Sequence, residues 1–124
     1  MKRREFLTLA ATGAAALTAG TAFAGGHGRT GKFKGTNNHV TTGTAEIAGN
    51  QVNLLGDFTF DGAPDPKVAL GKNGYDKNTL MGLLKSNNGA SSYTIPAGID
   101  PSEYNEVWIW CEKFNVSLGV AKLN

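Results

Sequence analysis

Apolar and polar residues alternate through much of this chain, and a period of two predicts strands. Val107, Ile109 and Cys111 fall on one face of such a segment, with Trp108 and Trp110 on the other. A strand apolar on both sides is expected to be central in its sheet and covered twice. Phe114, Val116, Leu118 and Val120 then alternate with Asn115, Ser117 and Gly119, so the apolar parity switches after Cys111. A tight turn or a bulge at Glu112-Lys113 would produce that switch. Upstream, Val40, Thr42 and Thr44 lead to Ile47 through a Thr-rich stretch suited to a strand. Gly49-Asn50 supplies a turn. Val52, Leu54, Phe58 and Phe60 keep the period of two with a break at Gly56, which reads as a bulge or kink.

Between these strands the punctuation is Gly and Pro. Asp61 to Pro66 holds two prolines and a glycine and is expected to be a loop. Val68 and Leu70 make a short strand closed by Gly71 to Gly74. Leu80, Leu83 and Leu84 have helical spacing, but the segment is short and Gly82 weakens it. Asn88-Gly89 predicts a hairpin turn pairing Leu83–Lys85 with Tyr93–Ile95. Around Pro101 to Tyr104 a single helical turn is expected, capped by Asp100. Short strands with little helix give an all-β fold class, a single-domain antiparallel β-sandwich or barrel-like sandwich.

The first residues do not fit that grain. Lys2-Arg3-Arg4-Glu5-Phe6-Leu7 precedes an apolar run of Ala, Thr, Leu and Gly that ends in the small-x-small site Ala22-Phe23-Ala24. The twin arginine followed by x-Phe-Leu resembles a Tat signal, with Lys2 where Ser or Thr is usual. Residues 1–24 are therefore read as a Tat-type signal peptide and 25–36, rich in Gly, Lys and Thr, as a flexible leader. Residues 37–124 are then the β domain. Export by Tat implies a periplasmic or extracellular protein, folded before it crosses, with no membrane span after signal cleavage.

Charge changes meaning once the signal is removed. The chain has 12 Lys+Arg and 10 Asp+Glu, and without Lys2, Arg3, Arg4 and Glu5 it keeps 9 of each. No basic cluster is left in the sequence to suggest nucleic acid. Cys111 is the only cysteine, so an intramolecular disulfide is excluded. Its thiol is a buried hydrophobe on the Val107–Ile109 face, a link between two copies, or a reactive or ligating group. Two histidines, one of them His27 in the leader, leave no defensible Ser/His/Asp set. Cys-x-x-Cys and Cys-x-x-Cys-His are also missing. A hydrolase is therefore not expected. Asp57, Asp61 and Asp65 do not make an EF-hand, because Val68 falls where a bidentate Glu is required. Asp61 and Asp65 read better as turn-capping residues.

Several segments together carry a family resemblance. They are Gly31-Lys32-Phe33, His39, Gly43-Thr44-Ala45-Glu46-Ile47, Leu55-Gly56-Asp57-Phe58, Pro64-Asp65, Tyr93-Thr94-Ile95-Pro96 and Trp108-Ile109-Trp110-Cys111-Glu112-Lys113-Phe114-Asn115-Val116 with Gly119. The chain resembles the electron-transfer DM-thirteen domain, and the Trp-Cys-x-x-Phe-x-Val-x-x-Gly ending is the most specific part. The resemblance implies an all-β domain whose cysteine, here Cys111, is redox-active or ligates a cofactor such as haem or a metal ion. No particular cofactor follows from the sequence. His39 is the second ligand this suggests, with Asp65, Lys113 and Trp110 in support. A redox protein is the implied partner, and a dimer through Cys111 is the alternative use of a lone thiol. Ala63 and Pro66 depart from the family's usual loop, which has Gly before the Pro and a bulkier residue after the Asp. The competing expectation is a cofactor-free interaction module with Cys111 in the core and the loops 61–66 and 87–91 meeting a partner.

Overall fold

The structure is a computed structural model that describes residues 28–124. The segment read as a signal peptide and its expected cleavage site lie outside the described residues, as does His27. Strands β1 (Arg29–Gly35), β2 (Thr41–Thr42), β3 (Thr44–Ala48), β4 (Gln51–Leu54) and β5 (Thr59–Phe60) come first. They are followed by β6 (Pro66–Gly71), β7 (Tyr75–Asp76), β8 (Ser91–Thr94), β9 (Glu106–Cys111) and β10 (Val116–Lys122). Eight of them form one sheet in the order β7-β6-β9-β10-β1-β3-β4-β8, antiparallel throughout, and β2 pairs with β5 in a small second sheet. The all-β expectation holds, with the large sheet curled into a half-barrel.

Burial follows the alternation. On β9, Val107, Ile109 and Cys111 point into a core shared with Phe33, Leu54, Phe58, Val68, Leu70 and Leu118. β9 is central, between β6 and β10, as the double-sided apolar pattern predicts. Its Trp face is only half-buried, however. Among the described residues helix is limited to two single 3-10 turns, Lys77–Thr79 and Pro101–Glu103. The second is capped by Asp100, whose side chain accepts the Ser102 N–H.

Three expectations are corrected. The segment 25–36, read as a flexible leader, contains β1. Phe33 is its one buried side chain, so the sequence shows little apolar pattern; the strand is held by its backbone, paired to β10 on one side and β3 on the other. A Cβ on Gly31 would lie 2.1 Å from the Lys122 carbonyl oxygen, so that pairing depends on the missing side chain. The Asn88-Gly89 turn does not join Leu83–Lys85 to Tyr93–Ile95. Instead β8 pairs with β4, and Leu83 makes only an isolated bridge to Lys67. The third correction concerns β10. The chain does turn between Cys111 and Val116, with Asn115 at φ 53°. Phe114 and Val116 are nevertheless exposed, and a bulge opposite Ile109–Trp110 shifts the register. Leu118 faces the core and Val120, opposite Trp108, faces out, so the even spacing of these residues does not describe a single face.

The Thr-rich stretch splits at Gly43, whose φ of +100° suits only glycine. There the chain leaves β2 and enters β3 against the Phe58 backbone, where a Cβ would meet the Phe58 Cα at 2.5 Å. β2 is thereby tucked over the end of the half-barrel. Its Thr41 hydroxyl donates to the Leu118 carbonyl at 2.9 Å, and the preceding residues, which include His39, come to that same end.

Candidate functional site

Cys111 ends β9, paired with Pro66 on β6 and Val116 on β10. Its parity with Val107 and Ile109 sends the thiol inward, and the residue is 1% exposed. The turn that follows is fastened by Asp65, the residue just before β6. The Asp65 carbonyl accepts the Glu112 N–H at 3.3 Å, and its Oδ2 accepts the Lys113 N–H at 2.9 Å. Lys67 is ion-paired with Glu112 and lies 3.7 Å from Asp65 Oδ1. The Glu112 carboxylate holds the Lys67 ammonium above its usual range. Asp65 therefore acts on Cys111 indirectly, by closing the turn beside it. Lys113 contributes its backbone N–H to that closure, while its ammonium sits 5.5 Å from the centre of the Phe114 ring.

On the opposite face of β9, Trp110 is stacked on Tyr75 with ring centres 3.7 Å apart and planes within 9°. Trp108 meets it edge-on at 6.0 Å. The Trp108 indole N–H donates to Glu106, whereas the buried Trp110 Nε1 has no hydrogen-bond partner among the described residues. Burial pushes the Tyr75 phenol above its usual pKa, with the Glu112 and Asp76 carboxylates adding to the effect. Tyr75 was not singled out from the sequence, where nothing but the short Gly71–Gly74 turn hints that it folds back onto β9.

His39 lies between β1 and β2, its ring stacked on Phe60 at 5.8 Å and its Nδ1 2.9 Å from Asp61 Oδ1. An ionised carboxylate only accepts, so Nδ1 carries the hydrogen, and in the neutral ring Nε2 is then the nitrogen with the lone pair, the orientation a ligating histidine takes. The other Asp61 oxygen accepts the Val40 N–H at 3.0 Å. Asp61 thus anchors a distant segment rather than capping its own loop.

Cys111 and His39 come to the same end of the sheet. Ser117, next to the partner of Cys111, bonds the side chains of Thr36 and Asn37. No hydrogen bond joins the two residues, however, and one faces the core while the other sits on the rim over Phe60. Among the described residues no group of three or more His, Cys, Asp or Glu could hold a metal ion. A metal or haem on Cys111 does not fit this closed arrangement, because the thiol is sealed among apolar side chains. An interchain disulfide through it would also need the end of β9 to open.

The bonds from His39 and Val40, in that order of effect, hold the Asp61 carboxyl below the usual carboxylate range. A carboxyl depressed in the folded state adds stability above its unfolded pKa and loses it as pH falls through the folded value. Thermal melts below about pH 4 are therefore expected to show a falling midpoint. The fall should be smaller in Asp61→Asn, and an identical profile would mean that this pair is not formed in solution. Solvent screening keeps the effect modest, since Asp61 is exposed.

No helix among the described residues is long and apolar enough to cross a membrane. No curated protein and no solved structure matches the chain. The family model described as electron transfer DM13 matches residues 32–123, from β1 through β10, and includes Cys111, His39 and Asp65. With that match running over nearly the whole described fold, the chain belongs to the DM13 electron-transfer family.

Proposed function

We propose that this protein is an exported electron-transfer domain, working in the periplasm or outside the cell, with Cys111 as its redox-active or ligating residue. The observation that carries the reading is the family match, which brings an electron-transfer description to a chain with one thiol. The position of that thiol supports it further. Cys111 is the last residue of β9, so it is reached by opening the turn 112–115 and not the whole core. Trp110, its chain neighbour, is half-buried on the outer face. His39, oriented by Asp61, is the second point of contact in this reading. A redox protein is the fitting partner, and a cofactor or a second copy would engage Cys111 only with the turn open. The twin-arginine segment supports Tat export.

One observation favours a second reading. A cysteine 1% exposed and packed with Val107 and Ile109 behaves as a small core hydrophobe. The protein would then be a cofactor-free interaction module. An absorption spectrum and elemental analysis of the exported protein, wild type beside Cys111→Ser, test the two readings. A visible band or stoichiometric metal that disappears in the variant makes Cys111 a ligand. A colourless, metal-free wild type whose thiol resists alkylation until unfolding makes the interaction module the better account.

A further inference from the structure

We infer that the outer face of β1 and β10 is a docking surface for an acidic protein partner. Lys32 and Lys34 flank the inward-facing Phe33 on β1 and so face out. Val120 and Lys122 flank the inward-facing Ala121 on β10 and share that outer face, Lys122 exposed and Val120 only 9% exposed at the base of the cleft. Together the three lysines and Val120 line a shallow cleft of about 390 Å³. The register sets Lys34 opposite Val120, and Val120 opposite Trp108, so the cationic cleft continues across the sheet into the aromatic face of β9.

The charge here is segregated from a balanced background, since residues 25–124 carry equal numbers of basic and acidic side chains. Lys34 and Lys122 make no ion pair among the described residues. Lys32 pairs with Asp57 at 3.3 Å, but the two side chains are 78% and 47% exposed, so that pair is weak. Glu106 is the cross-strand neighbour of Lys122, yet its carboxylate is buried and accepts from Gly74 N–H and Trp108 Nε1. Lysines commonly protect exposed sheet edges from pairing. That explanation fails here, because β1 and β10 are interior strands. Clustered like charges on adjacent strands cost stability. A carboxylate-bearing surface would relieve that repulsion, with Val120 as an apolar floor and the lysine rim steering the encounter. The choice of a redox protein as the partner rests on the electron-transfer reading. The binding itself does not involve Cys111.

The test is an amide NMR titration of the protein with an oligoglutamate peptide at low salt. Shifts should be confined to β1, β10 and the Trp108 indole. The double variant Lys34→Glu/Lys122→Glu should bind about tenfold more weakly or worse. Lys72→Glu/Lys77→Glu makes the same net charge change away from the cleft and should lose less than about threefold. Both variants are surface changes and are expected to melt like the wild type. Equal losses in the two variants, no peptide binding, or binding only to phosphatidylglycerol vesicles would overturn the inference. A Cys111→Ser protein that still binds the peptide would separate this result from failure of the redox reading.

Discussion

Phe58→Ala is expected to lower the free energy of unfolding by about 3–5 kcal/mol, a large part of the roughly 5–15 kcal/mol available to a domain of this size. Phe58 is fully buried and meets Phe33 edge-on with ring centres 5.4 Å apart. Its backbone is fixed on both sides, donating to the Leu55 carbonyl at 3.0 Å and accepting from Gly89 N–H at 2.9 Å. The surrounding chain therefore cannot collapse easily into the space the ring leaves, and cavity cost adds to lost burial. Position matters as well as size. Phe58 sits where the chain leaves β4 for β5, beneath the Gly43 crossing that brings β2 and His39 to the end of the half-barrel. Urea unfolding followed by tryptophan fluorescence checks the value. Phe58→Leu, which keeps most of the volume, should lose clearly less. A loss below about 1 kcal/mol for the alanine variant would mean that the ring is not a core element.

The second large effect concerns access to the thiol. Asp65→Ala is expected to make Cys111 alkylate about 10- to 100-fold faster in native buffer, with a much smaller change in global stability. The variant removes the acceptor for Lys113 N–H and one partner of Lys67, and it leaves the ladder between β9 and β6 intact. A hydrogen bond to a charged group contributes about 1.5–3 kcal/mol, and each 1.4 kcal/mol shifts a local opening equilibrium about tenfold. Mass spectrometry of iodoacetamide labelling over time, with global stability measured in parallel, reads both quantities. Should labelling accelerate only in proportion to global destabilisation, Asp65 would be an ordinary stabilising residue with no particular hold on the turn.

The strands with strong alternation were legible from residues alone. β9 was placed correctly as a central strand because its two apolar faces leave no other position. β1 was not legible, since Phe33 is its single buried side chain and the rest of its stability comes from backbone pairing that leaves no mark in composition. Asn88-Gly89 misled because a local turn signal says nothing about which strand β8 will pair with, and β4 offered the longer ladder. For the site, Cys111 and His39 were evident as residue types, and the inward parity of the thiol was readable from Val107 and Ile109. What Asp65 does was not readable. Its side-chain bond to the turn crosses 48 positions of sequence, and no spacing rule reaches that far. The same limit hid Tyr75 beneath Trp110, and the bulge at Leu118 hid Val120 on the outer face.

The central claim is that this domain exchanges electrons through Cys111. An equilibrium redox titration of the purified protein, wild type beside Cys111→Ser, tests it most directly. The account predicts that wild type whose Cys111 is held in a mixed disulfide with a second thiol, or carries a bound cofactor, takes up electrons reversibly and stoichiometrically, the disulfide giving back two thiols, while the folded serine variant takes up none. A wild type that takes up none, or a variant that titrates identically, would contradict it.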